Sequence, residues 1–534
     1  MACIKKFLTA EDLKMALNIF CCVYGIGTLG MPGNFSRAGP VLAVIGMAFM
    51  AFANVCASVA ICRVMLLAPK SVRTYSDLGE WCMGKWGRWL SVVSQMASCL
   101  LVPCVLLVLG GTLLDGLFPD AFSTSYWICF MALMCLPVCL IPTLKEGAGA
   151  AFAGCAGTLI ADVIGVAVVM YGMRGHPTPP SPDIKFSQVA GMFGNLSLAY
   201  NAGIVIPALQ RQHSEPTRMP RVVFATMAFI SVLFLILAST AYSSVGCQIT
   251  GNLLYSICPD STNGLTTLGF KSDWGAVVMA YFFMQLHITI DFSVILNPAF
   301  YLAERLVLKM HQKQEDDVEN ALTYGASSYV AANTPGKDAA NFDDRRSSKM
   351  SYISNADAES PYFDDAEAEA AEYRGINAIK YVILRVAIIV VLVILSIILK
   401  DHFSDLVDFV GASCITLISI LLPIIFLLKK LWHEIPLYEK IQALIVVVVC
   451  GFLGCYVTYT YGKTLFAPTD SDAEFPYYDS EYENQLYYNY TAVHGALLDW
   501  VRDMRKNKVR AVTSRCLLMM SAQFGVKGFW IRQQ

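Results

Sequence analysis

Residues 16–40 read ALNIFCCVYGIGTLGMPGNFSRAGP. The stretch begins as a strongly apolar helix. The helix formers then give way to Gly25, Gly27 and Gly30, with Pro32 and Gly33 close behind. Each glycine costs about 1 kcal/mol against alanine inside a helix, and a proline costs about 3 kcal/mol. A helix that only filled a membrane would not concentrate these costs at mid-depth. Unwound backbone is tolerated there when it is buried in protein or lines a cavity. Its freed N–H and C=O groups can then hold a substrate carboxylate and a cation. The competing reading is that small residues let a neighbouring helix pack closely. Five breakers within nine residues favour the broken helix.

The remaining chain places this helix in a bilayer. The 534 residues are 56% hydrophobic and 15% charged, where soluble domains carry about 25% charged residues. Mean hydropathy is +0.53. Apolar runs of about 20 residues, each long enough to cross a bilayer, recur along the chain. Eleven spans are predicted, at about 13–34, 39–67, 89–117, 122–143, 150–173, 187–209, 220–242, 275–306, 377–400, 404–428 and 439–461. The fold class is therefore all-α integral membrane. A net charge of −2 and the lack of a basic, aromatic-interleaved patch give no support to nucleic-acid binding. Lys5, Lys6 and Lys14 precede a segment too long for a signal-peptide core, so no cleavable signal is expected.

Loop charge sets the orientation. Lys70, Arg73, Lys85 and Arg88 follow the second span, Arg211, Arg218 and Arg221 the sixth, and Lys429, Lys430 and Lys440 the tenth. The alternate loops are poor in lysine and arginine. Residues 1–12 are thus expected to form a short cytosolic N-terminus. Residues 13–308 hold spans one to eight and 377–461 spans nine to eleven. Between them, 309–376 is acidic and rich in Ala, Ser, Asn and Asp, a disordered cytosolic loop by composition. Residues 462–534 form a polar tail expected outside the cytosol, acidic and tyrosine-rich first and basic later; it carries no functional reading. Most of the 18 cysteines lie in apolar segments as small hydrophobes. Cys247 and Cys258 share an extracytosolic loop and are the candidate disulfide. Asn489, in Asn489-Tyr490-Thr491, is the candidate glycan acceptor.

The sixth span is also interrupted. From Phe193 it reads FGNLSLAYNAGIVIPALQRQHSEPTRMPRV, with Ser197, Tyr200-Asn201-Ala202-Gly203 and Pro207 at its centre. Punctuated segments at corresponding positions of two halves point to a transporter binding site. Spans one and six correspond if the repeats are 1–5 and 6–10. Five spans per repeat is an odd number, so the repeats are inverted and the eleventh span is extra.

At these residues the chain resembles the amino acid/auxin permease family. The first span's N-x-x-x-x-x-Y-G-I-G-T-L-G-M-P is similar to that family's first-helix pattern. LAYNAGIVIPALQRQHSEPTRMPRV is similar to its sixth helix and exit loop. HITIDFSVILNP and DFVGASCITLISILLPIIF are similar to its eighth and tenth helices. The resemblance covers about residues 10–460. Many members carry Gly-His in the sixth-helix break, where this chain has Ala202-Gly203. The resemblance implies a secondary amino-acid transporter whose substrate meets the unwound backbone of helices one and six, with pocket walls from helices one, three, six and eight.

Candidate site residues follow. Gly25, Ile26, Gly27, Thr28 and Leu29 supply the first break, where N–H groups at a half-helix start suit a carboxylate. Ser197, Tyr200 and Asn201 supply the second, with carbonyls for the ammonium group; Tyr200 either closes over substrate or packs in the core. Ser94 and Ser98 share one face of span three and either line the pocket or bond neighbouring helices. Intramembrane carboxylates mark pathways, so Asp162 and Asp291 are candidate proton sites, with a structural ion partner as the alternative. By resemblance, Thr289 and Ser293 are candidate sodium ligands; Asp291 points about 160° away from them on the same helix. His287 reads as a packing residue, and Asp405 and Asp408 as stabilisers of a helix start.

The leading function is amino-acid transport coupled to a proton or sodium gradient by alternating access. No cofactor is expected beyond the co-transported ion. The partners are the amino acid and the lipid bilayer of a plasma or vacuolar/lysosomal membrane. The alternative is an amino-acid sensor on the same fold. An enzyme is not expected: the chain has no His-Glu-x-x-His, no Ser/His/Asp pattern and no cofactor fingerprint.

Overall fold

The computed structural model describes residues 9–69, 72, 74–140, 147–174, 184–261, 264–310, 373 and 375–466. Residue 489, most of the 309–376 loop and nearly all of the 462–534 tail lie outside these. The described residues are helical throughout, apart from turns and one isolated bridge between Pro259 and Thr266. Seven helical stretches among them are long and apolar enough to cross a membrane. Two of the seven, Ile26–Leu67 and Ile376–Leu431, run through more than one expected span. Spans one and six are broken, and span four is the short apolar helix Thr124–Cys139. Each of the eleven expected segments coincides with helix.

The first span starts at Ala10–Val23, opened by a capping box in which Thr9 and Asp12 satisfy each other's backbone N–H groups. Helix stops at Tyr24. A tight 3₁₀ turn, Ile26–Gly30, carries the chain into Met31–Leu67. Gly39, at φ 71°, turns the chain before Pro40 and so separates the first span from the second. The sixth span is Phe186–Ala199, an unwound stretch, and Ile206–Gln212.

These two broken spans lie side by side and run antiparallel. Asp12 meets His213 and Arg218 at one end. Gly27 meets Ala199 in the middle, Gly30 meets Asn195, and Arg37 lies against Gly191 at the other end. Both breaks therefore sit at one depth, as two inverted five-helix repeats require. Spans two and seven (Met219–Val245) pack along each other on one side. Span five (Gly147–Gly172) packs on span eight (Trp274–Leu308), which also packs on span three (Lys85–Leu117).

The tenth span is α-helical over Phe403–Val410, π-helical over Gly411–Leu421 and α-helical again over Leu422–Leu431. It presses on span six where neither carries a side chain. A methyl at Gly194 would lie 2.3 Å from the Asp408 carbonyl, and one at Gly411 would lie 1.8 Å from the Gly194 carbonyl. Such wide turns often mark functional sites. The carbonyl of Ile418 within this one accepts a hydrogen bond from the Tyr75 hydroxyl at 2.5 Å.

The 243–274 connection is more than a polar surface loop. Leu253, Leu254 and Ile257 are fully buried, and the Leu253 N–H donates to the Leu29 carbonyl at 2.9 Å. The loop thus reaches the break in span one. Cys247 and Cys258 stand there as thiols, not as the expected bridge. Cys247 Sγ lies 3.6 Å from the Tyr242 hydroxyl, and Cys258 Sγ points at the Gly116 carbonyl at 3.6 Å.

Candidate functional site

The site grows from the two breaks. Gly25 to Gly30 lacks α-helical hydrogen bonding, and Thr28 N–H reaches only the Gly25 carbonyl, at 3.0 Å. The first N–H groups of a helical segment have no partner within it, so this turn leaves donors free beside span six. Across it, Phe186–Ala199 ends and offers carbonyls. Ile26 and Leu198 join an apolar cluster with Val102 and Leu101 of span three, Ile295 of span eight, and Leu406 and Val410 of span ten. A cavity of about 30 Å³ remains there, lined by Ile26, Gly27, Gly30 and Leu198 together with Asn252 of the loop and Asp408. That space suits a water, not an amino acid. The structure is closed around the site.

Among the other candidates, Ser197 Oγ lies 3.1 Å from Thr416 Oγ1, and Asn201 Oδ1 accepts from Ser419 Oγ at 3.0 Å. Asn201 belongs to the break and Ser197 to the last turn of the helix before it, and both are tied to the π-helical turn of span ten. Tyr200 packs: its hydroxyl donates to Ser231 of span seven at 2.8 Å and its ring meets Phe234 edge-on. Ser94 bonds the carbonyls of Leu90 and Ser91 in its own helix, and Ser98 Oγ has no partner among the described residues. Span three reaches the break through Leu101 and Val102 instead.

The ionisable candidates separate into two sets. Thr28 Oγ1 lies 2.9 Å from the Gly25 carbonyl and 3.1 Å from Asp162 Oδ1, and donates to one of them. Thr28 and Asp162 are both buried, and Asp162 Oδ2 has no hydrogen-bond partner among the described residues. His287, which packs on Gly154 of span five, also presses on the break: a methyl on Gly25 would lie 3.0 Å from its Nε2. The same Nε2 is 3.8 Å from Asp291 Oδ2, one helical turn away. Asp162, Thr28, the Gly25 carbonyl, His287 and Asp291 thus form a polar line beside the break, in which the Thr28 contacts are of hydrogen-bond length and the His287–Asp291 approach is not. His287, expected to pack, is buried against Gly25 and beside Asp291. A histidine one turn before an intramembrane aspartate was the signal in the sequence.

The expected sodium ligands do not join this line. Thr289 Oγ1 donates to the Gln285 carbonyl at 2.8 Å beside Cys135 of span four, and Ser293 Oγ donates to the Ile290 carbonyl at 2.8 Å. The face of span eight that meets span one carries His287 and Asp291, which explains why the hydroxyl pair does not meet span one's carbonyls.

Two charged clusters close the site's ends. Arg37 donates to Asp408 at 2.5 Å and to Ser404 at 2.7 Å, with both charges buried. Asp408 is therefore the partner of a buried arginine, not a stabiliser of a helix start. Arg37 within NFSRAGP was the overlooked signal. At the opposite end, Asp12 accepts from Arg218 Nη2 at 2.5 Å and lies 3.0 Å from His213 Nε2. Glu11 accepts from the Ser214 N–H at 2.8 Å. The Arg218 guanidinium holds the Asp12 carboxyl well below the usual carboxylate range, and the carboxylate raises Arg218 in turn.

Known proteins were compared with this arrangement. The sequence profile described as "Transmembrane amino acid transporter protein" matches residues 9–462. The chain is 24% identical to amino acid transporter AVT1D of Arabidopsis thaliana over 252 residues, 44% of either chain. It therefore matches less than half of that relative's length. It is 22% identical to amino acid transporter ANT1 of the same plant over 327 residues, 58% of this chain and 71% of the relative. Among solved structures, an Eremococcus coleocola manganese transporter aligns at TM-score 0.49 and 11% identity, covering 94% of this chain and 96% of the other. MhsT in complex with L-phenylalanine aligns at TM-score 0.43 and 12% identity, covering 84% and 98%.

Proposed function

The chain belongs to the transmembrane amino acid transporter protein family, and on that premise we propose that it carries amino acids across a membrane by alternating access, driven by a proton gradient. The observation that carries this reading is the abutment of two helix breaks at one depth, Gly27 against Ala199. The amino acid's carboxylate binds the N–H groups of Ile26 and Gly27 at the start of the second half of span one. Its ammonium group binds the carbonyls that end Phe186–Ala199. Its side chain lies towards Ile26, Leu198, Val102 and Ile295.

Closure on the outer side uses Arg37–Asp408 and the Leu253–Leu29 bond; closure on the cytosolic side uses Asp12 with Arg218 and His213. Alternating access opens one set at a time as spans one, two, six and seven rock against the rest. Substrate and ion drive that change only if they bind its states unequally. The polar line favours a proton as the ion: Asp162 meets the break through Thr28 and Asp291 meets it through His287, while Thr289 and Ser293 bond their own helix.

The test is uptake of a labelled amino-acid mixture into proteoliposomes under an imposed pH gradient or an imposed sodium gradient. Accumulation above equilibrium in the pH arm supports the reading. Accumulation only under sodium replaces the ion. No accumulation in either arm, with ligand-dependent thermal stabilisation intact, defeats transport.

A further inference from the structure

A second cavity, about 470 Å³, lies apart from the breaks among spans two, seven, ten and eleven (Leu437–Phe466). That volume falls in the range of ligand sites. Its walls are apolar: Val55 and Val59 of span two, Phe224 and Ala228 of span seven, and Ile424 and Leu427 of span ten. From Arg63 to Ala51 along span two it extends about 18 Å by helical rise. Phe52, Phe224 and Tyr438 on its rim are exposed, so it opens sideways to the bilayer.

Its two ends are polar and different. At one end, facing the cytosol by the loop charges, Arg63 donates to Glu439 at 2.9 Å, with both side chains about one-third exposed. At the inner end lies Ser231, the acceptor of the Tyr200 hydroxyl at the edge of the span-six break.

We propose that this crevice binds one acyl chain of a zwitterionic phospholipid from the cytosolic leaflet, with its headgroup exchanged into the Arg63–Glu439 pair. The chemistry is complementary. A guanidinium takes the phosphate in bidentate fashion, and the carboxylate takes the ammonium of the same headgroup. The apolar walls take the chain, and no unpaired charge lines its path. A sterol hydroxyl offers only one polar group to two opposite charges.

The position gives the lipid a consequence. Spans two and seven form one wall, and spans ten and eleven the other. On the rocking-bundle reading above, on which the effect on transport but not the binding rests, these walls belong to bodies that move relative to each other. A chain lodged between them is held best in the conformation whose gap fits it. A ligand that prefers one state shifts the population towards it. Ser231 and Tyr200 connect that gap to the break.

The test uses the full chain in phosphatidylcholine nanodiscs containing a trace of phosphatidylcholine with a diazirine at the end of one acyl chain. After illumination, labelled residues are mapped by mass spectrometry. Crevice residues Val55, Val59 and Ala228 are expected to label about fivefold or more above Ile383, Val390 and Ile394 of span nine, although those three are the more exposed. Val59→Trp, which fills the crevice, should remove that excess and leave span nine unchanged. Arg63→Gln with Glu439→Gln, at the partly exposed mouth, should lower it about threefold or more. Equal labelling of both faces, or an excess undiminished in both variants, overturns the proposal. So does a diazirine sterol that labels the crevice and displaces the phospholipid probe. Amino-acid-induced thermal stabilisation is read on the same samples. Its absence from wild type counts against the transport reading and leaves the labelling result intact.

Discussion

Gly27 and Ala199 meet backbone to backbone: a methyl added at Gly27 would lie 2.5 Å from the Ala199 Cβ and 2.6 Å from its Cα. Any side chain there separates the two breaks. Gly27→Val is therefore expected to lower uptake by about tenfold or more, the equivalent of roughly 1.4 kcal/mol. Overpacking should cost about 1–3 kcal/mol of stability, within what a folded chain tolerates. Uptake and size-exclusion elution of the same preparation check this. Normal uptake by well-folded Gly27→Val would remove the break from the binding site.

The polar line makes a second prediction, about energy coupling. Asp162→Asn keeps the shape of the carboxyl and its contact with Thr28 but cannot exchange a proton. We expect it to retain exchange of external for internal amino acid while losing accumulation driven by a pH gradient. Asp291→Asn, which faces His287 at 3.8 Å in the wild type, should change the pH profile of uptake. Counterflow and gradient-driven uptake measured side by side separate the effects. Unaltered gradient-driven accumulation in both variants would exclude these carboxyls as proton sites.

Arg37 and Asp408 are buried together in the protein interior. Removing one partner strands the other, at about 3–5 kcal/mol. Replacing both with apolar residues of similar size is often neutral. Arg37→Ala and Asp408→Ala should thus each lower the unfolding temperature in detergent sharply, and Arg37→Met with Asp408→Leu should recover most of it. If the pair closes the outer path, the double variant should also admit a thiol reagent to a cysteine placed at Leu198 faster than wild type does. Equal labelling rates would deny it that role.

The cytosolic cluster yields a prediction about pH. The Asp12 carboxyl is held well below its ordinary value by Arg218. A carboxyl lowered on folding contributes stability that is fully present above its unfolded value, about 3.9, and is lost as pH falls through the lower folded value. The Asp12–Arg218 contact should therefore be constant from about pH 5 to 8. Asp12→Asn is expected to reduce stability by about 2 kcal/mol, as for hydrogen bonds to charged groups, by the same amount across that interval. Thermal unfolding at several pH values checks it. A loss that grows or shrinks across the interval would place a different titration in this cluster.

The sequence by itself determined the spans and the positions of their breaks. Hydrophobic length is a local property, and glycine and proline act on the backbone at their own positions. Those signals do not depend on neighbours, and so Gly25–Gly30 and Tyr200–Gly203 could be recognised without a structure. Intramembrane Asp162 and Asp291 were legible for the same reason: a charge in an apolar run is costly wherever its partner lies.

Partners were another matter. Helical periodicity gives the angle between Asp291 and Thr289 but not which of the two faces span one. Only packing decided that His287 meets the break, that Asp291 lies beside it, and that Thr289 lies beside Cys135. Arg37 and Asp408 are 371 residues apart in sequence, so nothing local joins them. Leu253 looked like part of a polar loop until the loop was seen folded onto Leu29. Tyr200 had two readings in the sequence, and only the tertiary structure placed its hydroxyl on Ser231 and its ring on Phe234. The backbone's local preferences wrote the breaks into the chain, while the pairing of buried polar groups depended on which helix faces tertiary packing brought together.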